Sequence, residues 1–164
     1  MLRSILIASA ILAAVPLVGA QADVRVEPAH LQGPRQLADP TATAVVKNYI
    51  ESWESLRAAL EQNRPELLDR DFVGGARQKL AETIQQQARF GLRTSYQDRS
   101  HDVQIVFYSP EGLSVELTDN VQYDVQVRDG DKVIATQPVR ERYLVVLTPT
   151  EVRWRVRVLQ ASAQ

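Results

Sequence analysis

A long alternation of apolar and polar residues in the C-terminal half constrains the fold of this chain more than any other feature. Between residues 113 and 128, the odd positions are apolar with one exception and the even positions are polar. Successive side chains of a β-strand point to opposite faces, so this period of two predicts a strand with one packed and one solvated face. The exception is Asp119, and the pair Asp119-Asn120 predicts a bulge or bend in the strand.

Turn residues divide the chain from Asp102 to Gln160 into four antiparallel strands. Asp129-Gly130-Asp131 predicts a first hairpin with a three-residue loop, and Pro149-Thr150 predicts a second with a two-residue turn. Matching the apolar positions of the paired strands places Asp119 opposite Glu141 on the packed face. The solvated face then gathers five arginines and two apolar residues: Arg140, Arg142, Leu144, Val146, Arg153, Arg155 and Arg157.

Three helices are predicted before these strands. Asp39-Pro40 supplies an N-cap and a proline at the first helical position, and apolar residues follow at helical spacing from Val46 to Leu60. A short second helix is predicted from Pro65 to Phe72, and a third from Ala76 to Phe90 with Gly91 near its C-cap. Helices followed by long antiparallel strands predict an α+β fold, with three helices packed on one face of a curved four-stranded sheet.

The length of 164 residues fits a single domain. Residues 1–22 combine Arg3, an apolar run and small residues at a cleavage site, as in an export signal peptide. We therefore expect an extracytoplasmic protein, periplasmic or secreted after cleavage; retention of this segment as a membrane anchor is the alternative. Residues 23–39 are predicted to be an extended linker, residues 40–160 the α+β domain and residues 161–164 a tail.

Composition argues against several classes of function. The chain has no cysteine, which excludes disulfides and thiolate chemistry, and its net charge of −1 gives no reason to expect nucleic-acid binding. Its two histidines, His30 and His101, lack the spacing of metal ligands, so we predict neither a metal nor another cofactor. The pair His101-Asp102 is interpreted as a surface or capping pair.

Five segments have the order and style of one known superfold: an aromatic first helix, a short helix ending in a glycine pair, a third helix, and two closing strands. They are Tyr49-Ile50 with Trp53, Phe72-Val73-Gly74-Gly75, residues 76–92, Arg142–Leu147 and Val152–Val156. Residues 40–160 thereby resemble the nuclear-transport-factor-two-like superfold, also called cystatin-like or ketosteroid-isomerase-like. The resemblance implies a cone-shaped roll that opens between the first helix and the concave sheet. With its export segment, the chain is similar to the non-enzymatic extracytoplasmic branch.

Two functions stay open at this point. The first is a non-catalytic binding domain in the cell envelope, which contacts a protein partner or a second copy of itself, as a homodimer, through the arginine-bearing sheet face. The alternative is a pocket for a small apolar ligand, or an isomerase-like or cyclase-like enzyme, in which the close carboxylates of Asp119 and Glu141 act as acid and base. The residues predicted to line that pocket are Tyr49, Trp53, Asp119, Tyr123, Glu141 and Tyr143.

Overall fold

The computed structural model describes residues 21–33 and 35–162, so the predicted signal peptide lies outside the described residues except for Gln21 and Ala22. In the described residues, two α-helices, one 3-10 helix and five β-strands follow one another in an α+β order. Their bounds are β1 Asp23–Val26, α1 Asp39–Gln62, the 3-10 helix Pro65–Leu68, α2 Gly74–Arg89, β2 Leu92–Tyr108, β3 Val115–Asp129, β4 Lys132–Pro149 and β5 Trp154–Ala161.

Helix α1 packs one stripe of its surface against the sheet. Pro40 lies in its first turn, where the missing N–H costs no intrahelical hydrogen bond. The buried positions Val45, Tyr49, Trp53 and Leu56 follow at intervals of three and four residues, as expected of an amphipathic helix. This stripe brings two aromatic side chains to the middle of the domain.

The prediction of three helices was wrong in detail, because the second segment is a single turn of 3-10 helix. The chain that follows runs beside β5 instead of continuing as a helix. The N–H of Val156 donates to the carbonyl of Asp71 (2.8 Å), and the N–H of Val73 donates to the carbonyl of Val156 (2.9 Å). These bonds engage backbone groups that a longer helix needs for itself.

In the part of the chain that the structure describes, the sheet has five strands in the order β1-β2-β3-β4-β5, so the prediction of four strands was also wrong. All neighbours are antiparallel except β1, which runs parallel to β2 with Asp23 beside Ser100 and Val26 beside Val103. This strand lies inside the segment predicted to be a linker. At four residues it is too short to show a periodic pattern in the sequence.

Strand β2 begins ten residues earlier than the predicted start at Asp102. Gly91 has a φ of +69°, the left-handed conformation that glycine adopts without steric cost, and it turns the chain from α2 directly into the strand. The added segment is polar and contains a register shift between Asp98 and Ser100, which interrupts its alternation. Its sequence therefore lacked the period of two that marks the later strands.

The predicted register between β3 and β4 is displaced by two residues. Asp119 lies opposite Tyr143, and Glu141 lies opposite Val121, so the predicted Asp119–Glu141 pair does not form. The reason is the hairpin, whose loop has two residues instead of three and is followed by a bulge between Val127 and Arg128. Beyond that bulge, the displacement of two leaves every side chain on its predicted face, whereas Val133 lies opposite Arg128 and not Val127.

The hairpin between β4 and β5 also differs from the prediction. Residues 150–153 form a four-residue loop instead of a two-residue turn, so that Trp154 lies opposite Pro149 and Val156 opposite Leu147. A further register shift follows in β4 between Val146 and Leu147. Asp119, by contrast, lies in an unbroken stretch of register, and the bulge predicted there was wrong.

The core lies between the helices and the concave face of the sheet. Residues buried there from the strands include Val103, Leu117, Val145, Leu147 and Val156. Across the described ranges 21–33 and 35–162, neither helix has the length and apolar character needed to cross a membrane.

Candidate ligand cavity and buried carboxylate network

A fully buried carboxylate, Asp119, lies at the centre of a hydrogen-bond network on the concave face of β3. Its Oδ2 accepts a hydrogen bond from the Tyr49 hydroxyl of α1 at 2.7 Å and lies 2.7 Å from His101 Nδ1 of β2. His101 is opposite Val121, two residues from Asp119 on β3, so the two side chains are diagonal neighbours on one face. No described residue hydrogen-bonds to the other carboxylate oxygen, Oδ1.

The interpretation of His101 as a surface or capping residue was wrong, since its side chain is 1% exposed. Asp102 points to the opposite face, where Arg25 of β1 approaches it at 3.7 Å. The alternation of residues in β2 does indicate that His101 is buried. His101, Val103 and Ile105 occupy alternate positions, which places His101 on the apolar side of β2.

The network holds His101 as a cation at neutral pH. Burial acts to lower the pKa of His101, but hydrogen bonds to Asp119 and Asp98 and the charges of these two carboxylates outweigh it and raise the pKa to about 9. Burial, followed by the negative charge of Asp119, raises the pKa of Tyr49 well above its ordinary value. Tyr49 is therefore a neutral hydrogen-bond donor, and His101 with Asp119 forms a buried ion pair.

An aromatic cluster adjoins this network, with Trp53 at its centre. The rings of His101, Tyr143, Tyr96 and Tyr123 lie 5.1 to 5.9 Å from the Trp53 ring, and most pairs are edge-to-face. The Tyr96 hydroxyl donates to the backbone carbonyl of Trp53 at 2.9 Å, which ties β2 to α1.

A cavity of about 290 Å³ opens on the far side of Trp53, between α1, α2 and the concave sheet. Its wall includes Trp53, Leu56, Tyr96, Tyr123, Tyr143 and Leu159. The wall is apolar apart from a few hydroxyl groups, of which those of Tyr123 and Tyr143 lie 3.1 Å apart. Two hydroxyls share one hydrogen bond, so the second proton of this pair is available to a ligand.

The cavity and the carboxylate network are separate. Asp119, His101 and Tyr49 do not line the cavity, and the Trp53 ring contacts both regions. His101 instead borders a polar recess of about 460 Å³ formed with Glu54 and Asp98. A ligand in the apolar cavity therefore meets aromatic rings and tyrosine hydroxyls instead of the buried ion pair.

Of the six residues predicted to line one pocket, three line the cavity, two lie in the separate carboxylate network and one lies outside both. Tyr49 and Asp119 belong to the buried network, Trp53 joins the two regions, and Tyr123 and Tyr143 line the cavity. Glu141 is half-buried beside the cluster, where its charge contributes to raising the pKa of Tyr143 after burial and Tyr123, but it does not line the cavity.

The residues predicted for the outer sheet face divide into two groups. Arg140 and Arg142 are exposed on β4, and the half-buried Leu144, Val146 and Arg155 share this face. Two arginines depart from the prediction because the four-residue loop and the register shift turn them away. Arg153 contacts Glu51 and, at 3.1 Å, Asp71, and the stem of Arg157 lies beside Gly74.

Comparison with solved structures identifies the fold. The intermembrane space region of chloroplast protein ARC6 has a TM-score of 0.64 at 14% identity, covering 79% of this chain and 100% of that one. A putative scytalone dehydratase from Novosphingobium aromaticivorans has a TM-score of 0.53 at 15% identity, covering 77% and 89%. The Kfla4162 protein from Kribbella flavida has a TM-score of 0.52 at 11% identity, covering 74% and 92%.

No protein-family model and no curated protein sequence matches the chain. At identities of 11 to 15%, the structural likeness concerns the fold and not the activity. These neighbours confirm the predicted superfold in its coarse form, an α+β roll of helices on a curved sheet. The chain has the nuclear-transport-factor-two-like fold.

Proposed function

We propose that this chain is an exported, non-catalytic binding domain that holds a small apolar molecule in the cavity beside Trp53. The observation that carries the proposal is a cavity of about 290 Å³ with an aromatic wall and one accessible hydroxyl pair. Small-molecule sites are commonly apolar pockets with a few placed polar groups, and about 300 Å³ is the small end of their range. The ligand is therefore a one- or two-ring molecule with one hydrogen-bond acceptor.

Binding is favoured over proton-transfer catalysis by the partners of the buried groups. A general acid or base must reach its substrate at hydrogen-bond distance. Asp119 Oδ2 and His101 Nδ1 instead bond to each other at 2.7 Å, and Trp53 lies between them and the cavity. The carboxylate that was predicted as the second catalytic group, Glu141, lies outside the cavity.

The two tryptophans of the chain provide an internal test, because Trp53 lines the cavity and Trp154 lies on β5. We expect acetophenone, a small aromatic ketone, to shift the indole N–H NMR signal of Trp53 saturably and to leave that of Trp154 unchanged. The variant Trp154→Phe assigns the two signals. A linear response, or equal shifts of both signals, contradicts the proposal.

A cavity-filling variant sharpens this test. Leu159→Phe replaces a branched aliphatic side chain on the wall with a larger aromatic ring and should weaken acetophenone binding at least about tenfold, equal to about 1.4 kcal/mol. The same substitution at Leu144, on the outer face, is the matched control and should leave binding unchanged. Equal affinity in both variants places the ligand elsewhere.

A second candidate function uses the outer sheet face as a contact surface for an acidic protein. Within the described part of the chain, no carboxylate lies within 4 Å of a guanidinium nitrogen of Arg140, Arg142 or Arg155. Leu144 and Val146 add half-buried apolar surface beside them. Unpaired arginines next to apolar residues are typical of protein interfaces.

Poly-L-glutamate is a suitable probe for that surface. We expect the double variant Arg142→Glu/Arg155→Glu to lose retention on this polyanion at a lower salt concentration than the wild type. The double variant Lys79→Glu/Arg89→Glu carries the same change of charge on α2 and is the control. If both variants lose retention equally, the net charge of the protein explains the binding, and the outer sheet face is not a specific contact surface.

Export itself is tested by sequencing the N-terminus of the protein as the cell produces it. Cleavage after Ala20 leaves Gln21 first, and cleavage after Ala22 leaves Asp23 first. A protein that retains residues 1–20 contradicts export by cleavage and supports the membrane anchor.

A further inference from the structure

Within residues 21–33 and 35–162, strand β1 is the outer edge of the sheet, and one hydrogen bond fixes which of its backbone groups have no partner in those ranges. The N–H of Glu27 donates to the carbonyl of Val103 on β2 at 2.8 Å. Alternate residues of a parallel strand bond to the same neighbour, so the odd residues of β1 bond to β2. The N–H and carbonyl groups of Val24 and Val26 consequently face the open edge.

The two faces of this edge strand are chemically distinct. On the concave side, Val24 and Val26 are 38% and 54% exposed and line an apolar groove of about 640 Å³ against α1. On the convex side lie Asp23 and Arg25, which carry opposite charges. An edge with free backbone groups and exposed valines is a template for pairing with another strand.

We propose that β1 pairs antiparallel with β1 of a second copy of this chain, across a two-fold axis at Val24. Val24 then faces the partner's Val24 as a hydrogen-bonded pair, since both present free N–H and carbonyl groups. Asp23 faces the partner's Arg25, and Arg25 faces the partner's Asp23. The pairing joins two five-stranded sheets into one and extends the groove with a second set of valines.

Charge and the position of Pro28 select this register among those centred on a residue of β1. An axis at Asp23 sets Asp23 against the partner's Asp23, and an axis at Arg25 sets Arg25 against the partner's Arg25, so each brings like charges together. An axis at Val26 sets Val24 against the partner's Pro28, which has no N–H to donate. Of the axes within β1, the one at Val24 sets opposite charges against each other on the convex side and also gives every facing backbone N–H and carbonyl a partner.

The interface differs from the outer-face homodimer predicted from the sequence and is independent of the ligand cavity. A four-residue strand with the rim of one groove is small compared with the 1,200–2,000 Å² of a stable interface, so we expect a weak, concentration-dependent dimer. Sedimentation velocity from about 10 µM to about 1 mM covers the range in which such a weak complex forms.

Charge complementation tests the register directly. Asp23→Lys sets Lys against the partner's Arg25, and Arg25→Glu sets Glu against the partner's Asp23, so each variant alone should remain monomeric. In a mixture of the two, both cross-strand pairs have opposite signs, and dimers should return to near the wild-type level. Failure of the mixture to dimerise while the wild type does so overturns the proposed register.

Val24→Pro provides a second test that does not depend on charge. It removes an N–H from the open edge, while the bonds between β1 and β2 use other residues. We expect this variant to lose the dimer and to keep the stability of the wild type, whereas Arg142→Glu on the outer face should keep the dimer. A wild type that stays monomeric at about 1 mM, or a Val24→Pro variant that dimerises equally well, refutes the proposal.

Discussion

The two faces of the β3–β4 pair carry charge in opposite ways. On the concave face, Asp119 is fully buried, and Tyr49 and His101 share its carboxylate. On the convex face, one residue further along β3, Asn120 lies opposite Arg142, and both are exposed. A buried charge on the concave face is stable only within a hydrogen-bond network, so its partners serve the stability of the fold. A charge on the convex face is solvated and can bind a partner.

Of the substitutions considered, removal of the Asp119 carboxylate should lower the free energy of unfolding most. Asp119→Ala leaves the His101 cation and the Tyr49 hydroxyl buried without their shared acceptor. We expect a loss of about 3–5 kcal/mol in the free energy of unfolding, as for other buried pairs deprived of one partner. Urea denaturation measures it.

Asn120→Ala is the matched control for this substitution. It alters the neighbouring residue of the same strand on the exposed face, where about 0.5 kcal/mol or less is expected. Similar losses from both variants contradict the distinction between the faces.

The pH dependence of the free energy of unfolding should report on the same network through the titration of His101. Its pKa is about 9 in the folded protein, above the value of about 6.5 of an unfolded chain. A raised pKa means that the folded state binds the proton more tightly, so this stabilisation is complete below pH 6.5 and is lost as the pH rises through 9. We expect the free energy of unfolding to fall by up to about 3 kcal/mol over that range.

His101→Gln removes the titrating group and should flatten this decline between pH 6.5 and 9. Asp98, Asp119 and Tyr49 surround the imidazole and stay in place in that variant. An unchanged pH profile in His101→Gln assigns the decline to another group.

A feature of the fold or of the site could be predicted from the sequence when neighbouring residues of the chain determine it. The period of two places Asp119 on the concave face whatever the register, because a displacement of two residues preserves the faces. The residues that face Asp119 depend on the length of the loop and on bulges. The same alternating pattern is compatible with more than one loop length and bulge position. The predicted partner Glu141 was therefore wrong, while the face was confirmed.

Two further features were missed for different reasons. β1 is four residues long, and its pairing with β2 is a contact between distant parts of the chain that no local pattern marks. His101 did carry a local signal, through its spacing from Val103 and Ile105, but an isolated histidine was weighed as a surface residue. Its role depends on Asp119, which is 18 residues away.

Two arginines that were predicted on the same face sharpen the comparison. Arg153 is 15% exposed and pairs with Glu51 and the buried Asp71, whereas Arg142 is exposed. Arg153→Ala should cost about 2 kcal/mol, since Asp71 keeps contacts with Arg70 and Ser55 but loses its closest cation. Arg142→Ala should cost about 0.5 kcal/mol or less. Comparable losses in thermal unfolding contradict the assignment of Arg153 to the helix side.

Two Tyr→Phe substitutions compare the carboxylate network with the cavity. They give the smallest expected difference in the free energy of unfolding. Tyr49→Phe removes a donor from a buried carboxylate and should cost about 1 kcal/mol, because His101 still holds Asp119. Tyr123→Phe breaks a bond to the half-buried Tyr143, whose hydroxyl can turn to water in the cavity, so about 0.5 kcal/mol or less is expected.

For ligand binding the order should be reversed, since Tyr123 lines the cavity and Tyr49 does not. Tyr123→Phe should weaken acetophenone binding, and Tyr49→Phe should leave it within about twofold. If one substitution lowers both stability and affinity, Trp53 transmits changes between the two regions, and the separation of network and cavity fails. If the two effects stay apart, the concave face is divided at Trp53 into a part that stabilises the fold and a part that is free to bind.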